Sequence, residues 1–218
     1  MREIRSYVLR QGRTSPAQQR ALDELLPRFG ISFSDSFLDF AKLFERKAPV
    51  VLEIGSGMGD ATAQIAQAHP DIDYVAIEVH GPGVGSLLKK IGELELKNLR
   101  VIRQDAVDVL QRMIPDGSLA GLHLFFPDPW PKKRHHKRRL VQPEFAALVA
   151  GKLATGGYFH AATDWPEYAA QIDEVFSSSS FFRKDLQEKK ERPVTKFERR
   201  GIGLGHPVRD LLFLRRKE

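Results

Sequence analysis

The chain has 218 residues, of which 42% are hydrophobic and 28% charged, an ordinary balance for a soluble globular protein of one α/β domain with a short extension. Cysteine is absent, which excludes disulfides and thiolate metal sites and fits a reducing cytoplasm. No apolar run approaches the ~20 residues of a membrane span and no apolar leader opens the chain, so a cytoplasmic location without a membrane partner is expected.

Residues 1–48 read as an N-terminal basic extension. It holds a flexible RQGR stretch at 10–13 and one amphipathic helix over 34–47, where Phe37, Phe40, Ala41 and Phe44 fall at helical spacing. Pro16, Pro27 and Gly30 are expected to interrupt any long element before it. From residue 49 to 218, short apolar runs alternate with helical patterns. Strands are expected at 50–54, 74–78, 99–103, 119–126 and 158–163. Helices are expected over 58–68, up to 96, after Asp105, over 144–153 and near 168–176. Continuous apolar strands alternating with helices predict an α/β fold, a mostly parallel central sheet with helices on both faces. Residues 181–186 and 210–214 could add strands at one edge, including an antiparallel strand at the C-terminal edge.

Ligands of open α/β sheets lie outside the carboxyl ends of the strands. The first strand is followed by Gly55, Gly57 and Gly59 in a G-x-G-x-G loop, which differs from the dinucleotide spacing. The loop resembles the first motif of Rossmann-like methyltransferases. The same spacing at Gly81, Gly83 and Gly85 reads as a helix-entry loop. Glu78 ends the second strand, where a carboxylate can accept from ribose hydroxyls, and Asp105 ends the third, where this class contacts the adenine amino group. Glu53 adds negative charge near the place a sulfonium would occupy. Three carboxylates suit pyrophosphate poorly, which favours S-adenosylmethionine over a dinucleotide. Singly, each could equally be an exposed strand end or a helix cap.

Residues 124–131 read LFFPDPWP. Prolines on either side restrict the backbone of Asp128, and a rigid loop suits a carboxylate that must meet a substrate accurately. Trp130 offers a surface for base stacking. Six cations then fall within eight residues: Lys132, Lys133, Arg134, Lys137, Arg138 and Arg139, with His135 and His136 between them. They equal the formal net charge of +6, so the excess charge is local and suggests a polyanionic partner, a solvated charged loop being the alternative. His123 and His160 fall within strands, as core residues or as supports behind a site, and no metal-ligand spacing occurs.

PDPWPKKRHHKRR, together with TKFE at Thr195, Lys196, Phe197 and Glu198, is similar to the signature of the bacterial tRNA (guanine-N7-)-methyltransferases over nearly the whole chain. The resemblance implies methylation of N7 of the guanine at position 46 in the tRNA variable loop. It implies Asp128 as the catalytic residue, with Glu53, Glu78, Asp105 and Asp128 around the cofactor. It further implies Lys132, Asp164, Thr195, Lys196, Phe197 and Glu198 as substrate contacts. Arg134, His135, His136, Lys137, Arg138 and Arg139 would be the RNA-binding segment, in a monomer or homodimer without metal. Asp164 and Thr195 also suit helix caps. Three other readings stay open on the residues alone: methylation of an exocyclic amino group, an RNA-binding module without activity, and a dinucleotide oxidoreductase.

Overall fold

The computed structural model describes residues 6–7, 12–186, 192–194, 198 and 207–217. The first helix, α1 (Pro16–Phe29), forms where interruptions were expected. Ser15 caps it in a capping box with Gln18, Pro16 occupies the first turn where its missing N–H costs nothing, and Pro27 falls in the last turn. Gly30–Ile31 forms β1, which pairs in parallel with β4 (Leu99–Ile102). Residues 30–31 of the segment before residue 49 therefore join the edge of the sheet. The amphipathic helix expected over 34–47 shrinks to α2 (Phe40–Phe44). Asp39 accepts from Lys42 N and starts it, Glu45 in a left-handed conformation stops it, and Phe37 is left 64% exposed.

The rest follows the expected alternation: β2 (Val50–Ile54), α3 (Asp60–Ala68), β3 (Asp73–Ile77), α4 (Gly81–Glu93), β4, α5 (Ala106–Arg112) and β5 (Leu119–Phe125). A 3-10 turn (Lys133–Arg138) precedes α6 (Pro143–Lys152), β6 (Leu153–Thr163), α7 (Pro166–Ser177), β7 (Phe182–Lys184) and β8 (Arg209–Arg215). One eight-stranded sheet results, ordered β1-β4-β3-β2-β5-β6-β8-β7. Strands β1 to β6 run parallel, and β8 inserts antiparallel between β6 and β7 at the C-terminal edge.

Successive residues of a strand face opposite sides, and both sides are apolar here. Val50, Leu52 and Ile54 enter one core with α5, α6 and α7, while Val51 joins the other with α1, α3 and α4. Chain order reverses between β2 and β5, since β3 and β4 lie to one side of β2 and β5 and β6 to the other. At such a switch point the connections part and leave a crevice above the strand ends.

Candidate active site

A cavity of about 430 Å³ lies in that crevice, and Gly55, Glu78, Asp105, Phe126 and Asp128 are on its wall. Gly55, Gly57 and Gly59 all hold positive φ, between 57° and 77°, so that the loop turns back over the sheet. A side chain at Gly55 or Gly57 would meet no atom of the described residues within 4 Å, so both face open space among them. Gly59 instead packs on Leu87, 2.5 Å from where its Cβ would stand. The second glycine set begins α4, and its use is close packing. A Cβ on Gly83 would stand 2.5 Å from the Gly57 carbonyl oxygen, so α4 supports the first loop from below.

The three strand-end carboxylates have three different environments. Glu78 is buried, with Oε2 accepting from Gly57 N at 2.7 Å and Oε1 from His80 N at 2.8 Å. It faces the cavity in a fixed pose. Asp105 faces the cavity and also caps α5, its Oδ1 accepting from Val107 N at 2.8 Å and Asp108 N at 3.3 Å. The capping and ligand-facing readings of Asp105 are thus compatible. Glu53 does not line the cavity and is only 4% exposed. Ile54, its neighbour in the strand, takes the cavity side, and alternation turns Glu53 away. Among the described residues, its Oε2 and the Thr62 hydroxyl have no hydrogen-bond partner of good geometry. Burial pushes the carboxyl up to about 7, with Thr62 lowering it and Glu78 raising it. Burial therefore disfavours a negative charge at Glu53, which is protonated below about 7.

Asp128 is exposed on the cavity wall at the tip of β5. Its loop is held by long-range bonds as well as by prolines. Phe126 N donates to Ala162 O at 2.7 Å, and Arg139 Nε donates to Pro129 O at 2.8 Å. Phe126 and Trp130 take left-handed φ values of 52° and 45°, strain of a kind that persists where surroundings over-determine the backbone. Trp130 is half-buried, with one face of its ring taken by Arg138. Arg138 lies 3.8 Å from its ring centroid and its Nε1 donates to Ser6 O at 2.9 Å.

The basic run divides by burial. Lys132, Lys133, Arg134 and Lys137 are exposed, and His135 and His136 half-buried. Arg139 corrects the expectation of a uniform RNA-binding segment. It is 3% exposed, donates to Pro129 O and to Gln171 Oε1 at 2.7 Å, and lies over the Tyr168 ring. The 3-10 turn ends at Arg138, so Arg139 leaves it pointing into the protein as a brace. Desolvation, and then Arg134, Arg138, Lys132 and Lys137, holds His135 below the usual imidazole value. Burial pushes the Tyr168 hydroxyl up to about 12.

Asp164 is half-buried and not on the cavity wall. It caps nothing, because α7 is entered through Trp165, whose N–H donates to Thr163 Oγ1 at 3.2 Å. Thr195, Lys196 and Phe197 lie outside the described residues; Glu198 is described and bonded to Arg192 at 2.5 Å and 3.2 Å. His123 and His160 are buried as expected, His123 Nε2 being 2.9 Å from the Tyr158 hydroxyl. Among the described residues, no group of three histidine or acidic side chains is placed to hold a metal, and no helix is long and apolar enough to cross a membrane. Phe126, Ser6 and Tyr7 on the cavity wall, and Arg192 behind it, were not singled out from the sequence. Only the bulk of LFF before PDP hinted at Phe126.

Residues 47–211 match the family described as "Putative methyltransferase". A tRNA (guanine-N(7)-)-methyltransferase of Methylobacillus flagellatus is 56% identical over 99% of this chain and 92% of that protein. One from Chromobacterium violaceum is also 56% identical, over 99% of this chain and 97% of its own length. Among solved structures, the 16S rRNA methyltransferase KamB superposes with a TM-score of 0.56 over 84% of this chain and 95% of that one, at 19% identity, a likeness of fold.

Proposed function

The chain belongs to the bacterial tRNA (guanine-N7-)-methyltransferase family, and on that premise we propose that it methylates N7 of guanine 46 in the tRNA variable loop from S-adenosylmethionine, with Asp128 as the residue that meets the base. It does so in the cytoplasm, as a monomer or homodimer. One observation supports the assignment of Asp128: it lines the same cavity as Gly55, Glu78 and Asp105.

The cavity fits the cofactor on its own geometry. Gly55 and Gly57 offer backbone to open space, Glu78 presents a fixed carboxylate suited to ribose hydroxyls, and Asp105 keeps Oδ2 free of hydrogen bonds among the described residues for an amino group. When bound, S-adenosylmethionine supplies an electrophilic methyl on a sulfonium. Guanine N7 carries an in-plane lone pair and no proton, so the chain has no proton to remove from the nucleophile. What it must do is align and stabilise. Asp128 can accept hydrogen bonds from N1–H and the exocyclic amino group of guanine, and its charge opposes the positive charge the purine gains. Lys132, Lys133, Arg134 and Lys137 are exposed and suit phosphates, and Glu198 is taken as a substrate contact on the family resemblance.

The test is Asp128→Ala with unmodified tRNA. Turnover should fall at least ~100-fold, the order seen when one such stabilising group is removed, while calorimetry finds cofactor affinity near the parent's. Nucleoside mass spectrometry of the parent's product should show 7-methylguanosine. Parent-like turnover in the variant, or methyl on an exocyclic nitrogen, overturns the proposal.

A further inference from the structure

Near the cavity wall lies a group of charges of which the mechanism above uses only Glu198. Arg192 is 6% exposed and held between two carboxylates. Its Nε and Nη2 donate to Asp210 at 2.7 Å and 2.9 Å, and its Nη1 and Nη2 to Glu198 at 2.5 Å and 3.2 Å. Asp210 also pairs with His160 Nε2 at 2.8 Å. The guanidinium lies 5.4 Å from the ring centroid of Phe126 and 5.7 Å from that of Phe125, both on the cavity wall. Arg192 and Glu198 come from the segment between β7 and β8, while Asp210 lies in β8 itself.

Strand β8 is held by backbone pairing with β6 and β7 and does not need Arg192. Asp210 has two contacts to Arg192 and one to His160. Glu198 is only 14% exposed, and Arg192 clasps it through two nitrogens. A rigid fork that clasps two carboxylates at once is a task for arginine that lysine cannot repeat.

We propose that Arg192 is a positioning residue for methyl transfer: seated on β8 by Asp210 and lying by the Phe125 and Phe126 rings, it fixes the Glu198 carboxylate, and so sets where the substrate base is held. This rests on the reading of Glu198 as a substrate contact. Arg192 touches no reacting atom; it acts through Glu198 and through the Phe126 ring.

The experiment is a cycle of Arg192→Ala, Glu198→Ala and the double variant, with kcat and KM for tRNA at saturating cofactor and thermal melts of each. Arg192→Ala should lose about 100-fold in kcat/KM, the scale of a roughly 1 Å misplacement. The double variant should be no worse than the weaker single variant by more than about threefold, because the two act as a unit. Arg192→Lys should melt with the parent yet recover only part of the activity. If Arg192→Ala does not fold, Arg192→Lys and Arg192→Gln carry the same cycle. Parent-like kinetics in Arg192→Ala beside an impaired Glu198→Ala sinks the inference alone, as do losses that multiply in the double variant. Parent-like kinetics in Glu198→Ala instead removes Glu198 from the site, and the reading beneath the inference with it.

Discussion

Replacing Glu53 by glutamine should make the protein more stable above neutral pH, although it removes a charge from a strand end that local sequence marks as functional. The carboxyl is raised from an ordinary 4.5 to about 7, with burial as the main cause. At ~1.4 kcal/mol per pH unit, that displacement makes ionising Glu53 in the fold cost about 3 kcal/mol. The sign follows from proton binding. Between pH 4.5 and about 7 the folded protein holds this proton and the unfolded chain releases it. The contribution is therefore fully present below 4.5 and is lost as pH rises through about 7. Glutamine does not ionise, so the parent's decline should be missing from the variant. Urea unfolding at about pH 5 and about pH 8 reads the difference as an advantage for Glu53→Gln that grows by ~2–3 kcal/mol. Parallel stability curves for parent and variant would show that Glu53 ionises freely in the fold, and would refute the argument from burial.

Three further predictions separate roles within the site. Lys137→Ala should weaken tRNA binding and lower the salt slope by roughly 0.7–0.9, whereas Arg139→Ala should lower the melting temperature and leave that slope unchanged, as filter binding over a salt series can check. His135 is held below the usual imidazole value, and phosphates brought beside it would raise it, so tRNA binding should take up a proton. Affinity should then strengthen as pH falls from about 8 to about 5.5, and His135→Gln should flatten the profile; a parent already flat removes His135 from the interface. Gly83→Ala drives a methyl to 2.5 Å from the Gly57 carbonyl oxygen and should displace the glycine loop. Overpacking of this kind costs ~1–3 kcal/mol, and calorimetry should find cofactor binding weakened at least tenfold by about the same energy, an unchanged affinity counting against the loop as cofactor site.

Much of this protein is legible in short stretches of chain. Runs such as Val50–Ile54, apolar at four of five positions, reveal strands buried on both faces, because apolar residues fall on both sides of the two-residue period. The glycine loop and the proline-flanked Asp128 are local as well: positive φ and restricted backbone are properties of single residues and their neighbours. Other features were misread for want of context. Pro16 and Pro27 look like breaks, yet a helix tolerates proline in its first turn, and here the second falls at its end.

Tertiary structure decided which of several alike residues does what. Glu53 and Glu78 both sit at strand ends, but only the packing of α3 and α4 shows that one is sealed away from the cavity, with Oε2 unpaired among the described residues, while the other is clamped by two N–H groups at the cavity. Arg138 and Arg139 are adjacent cations; one lies on Trp130 and the other is buried against Gln171 and Pro129. Arg192 meets Asp210, Phe125 and Phe126 only because β8 returns antiparallel beside β6. Periodicity and backbone preference act over a few residues and can be read directly from the chain, whereas burial and charge pairing depend on groups that only the folded chain brings together.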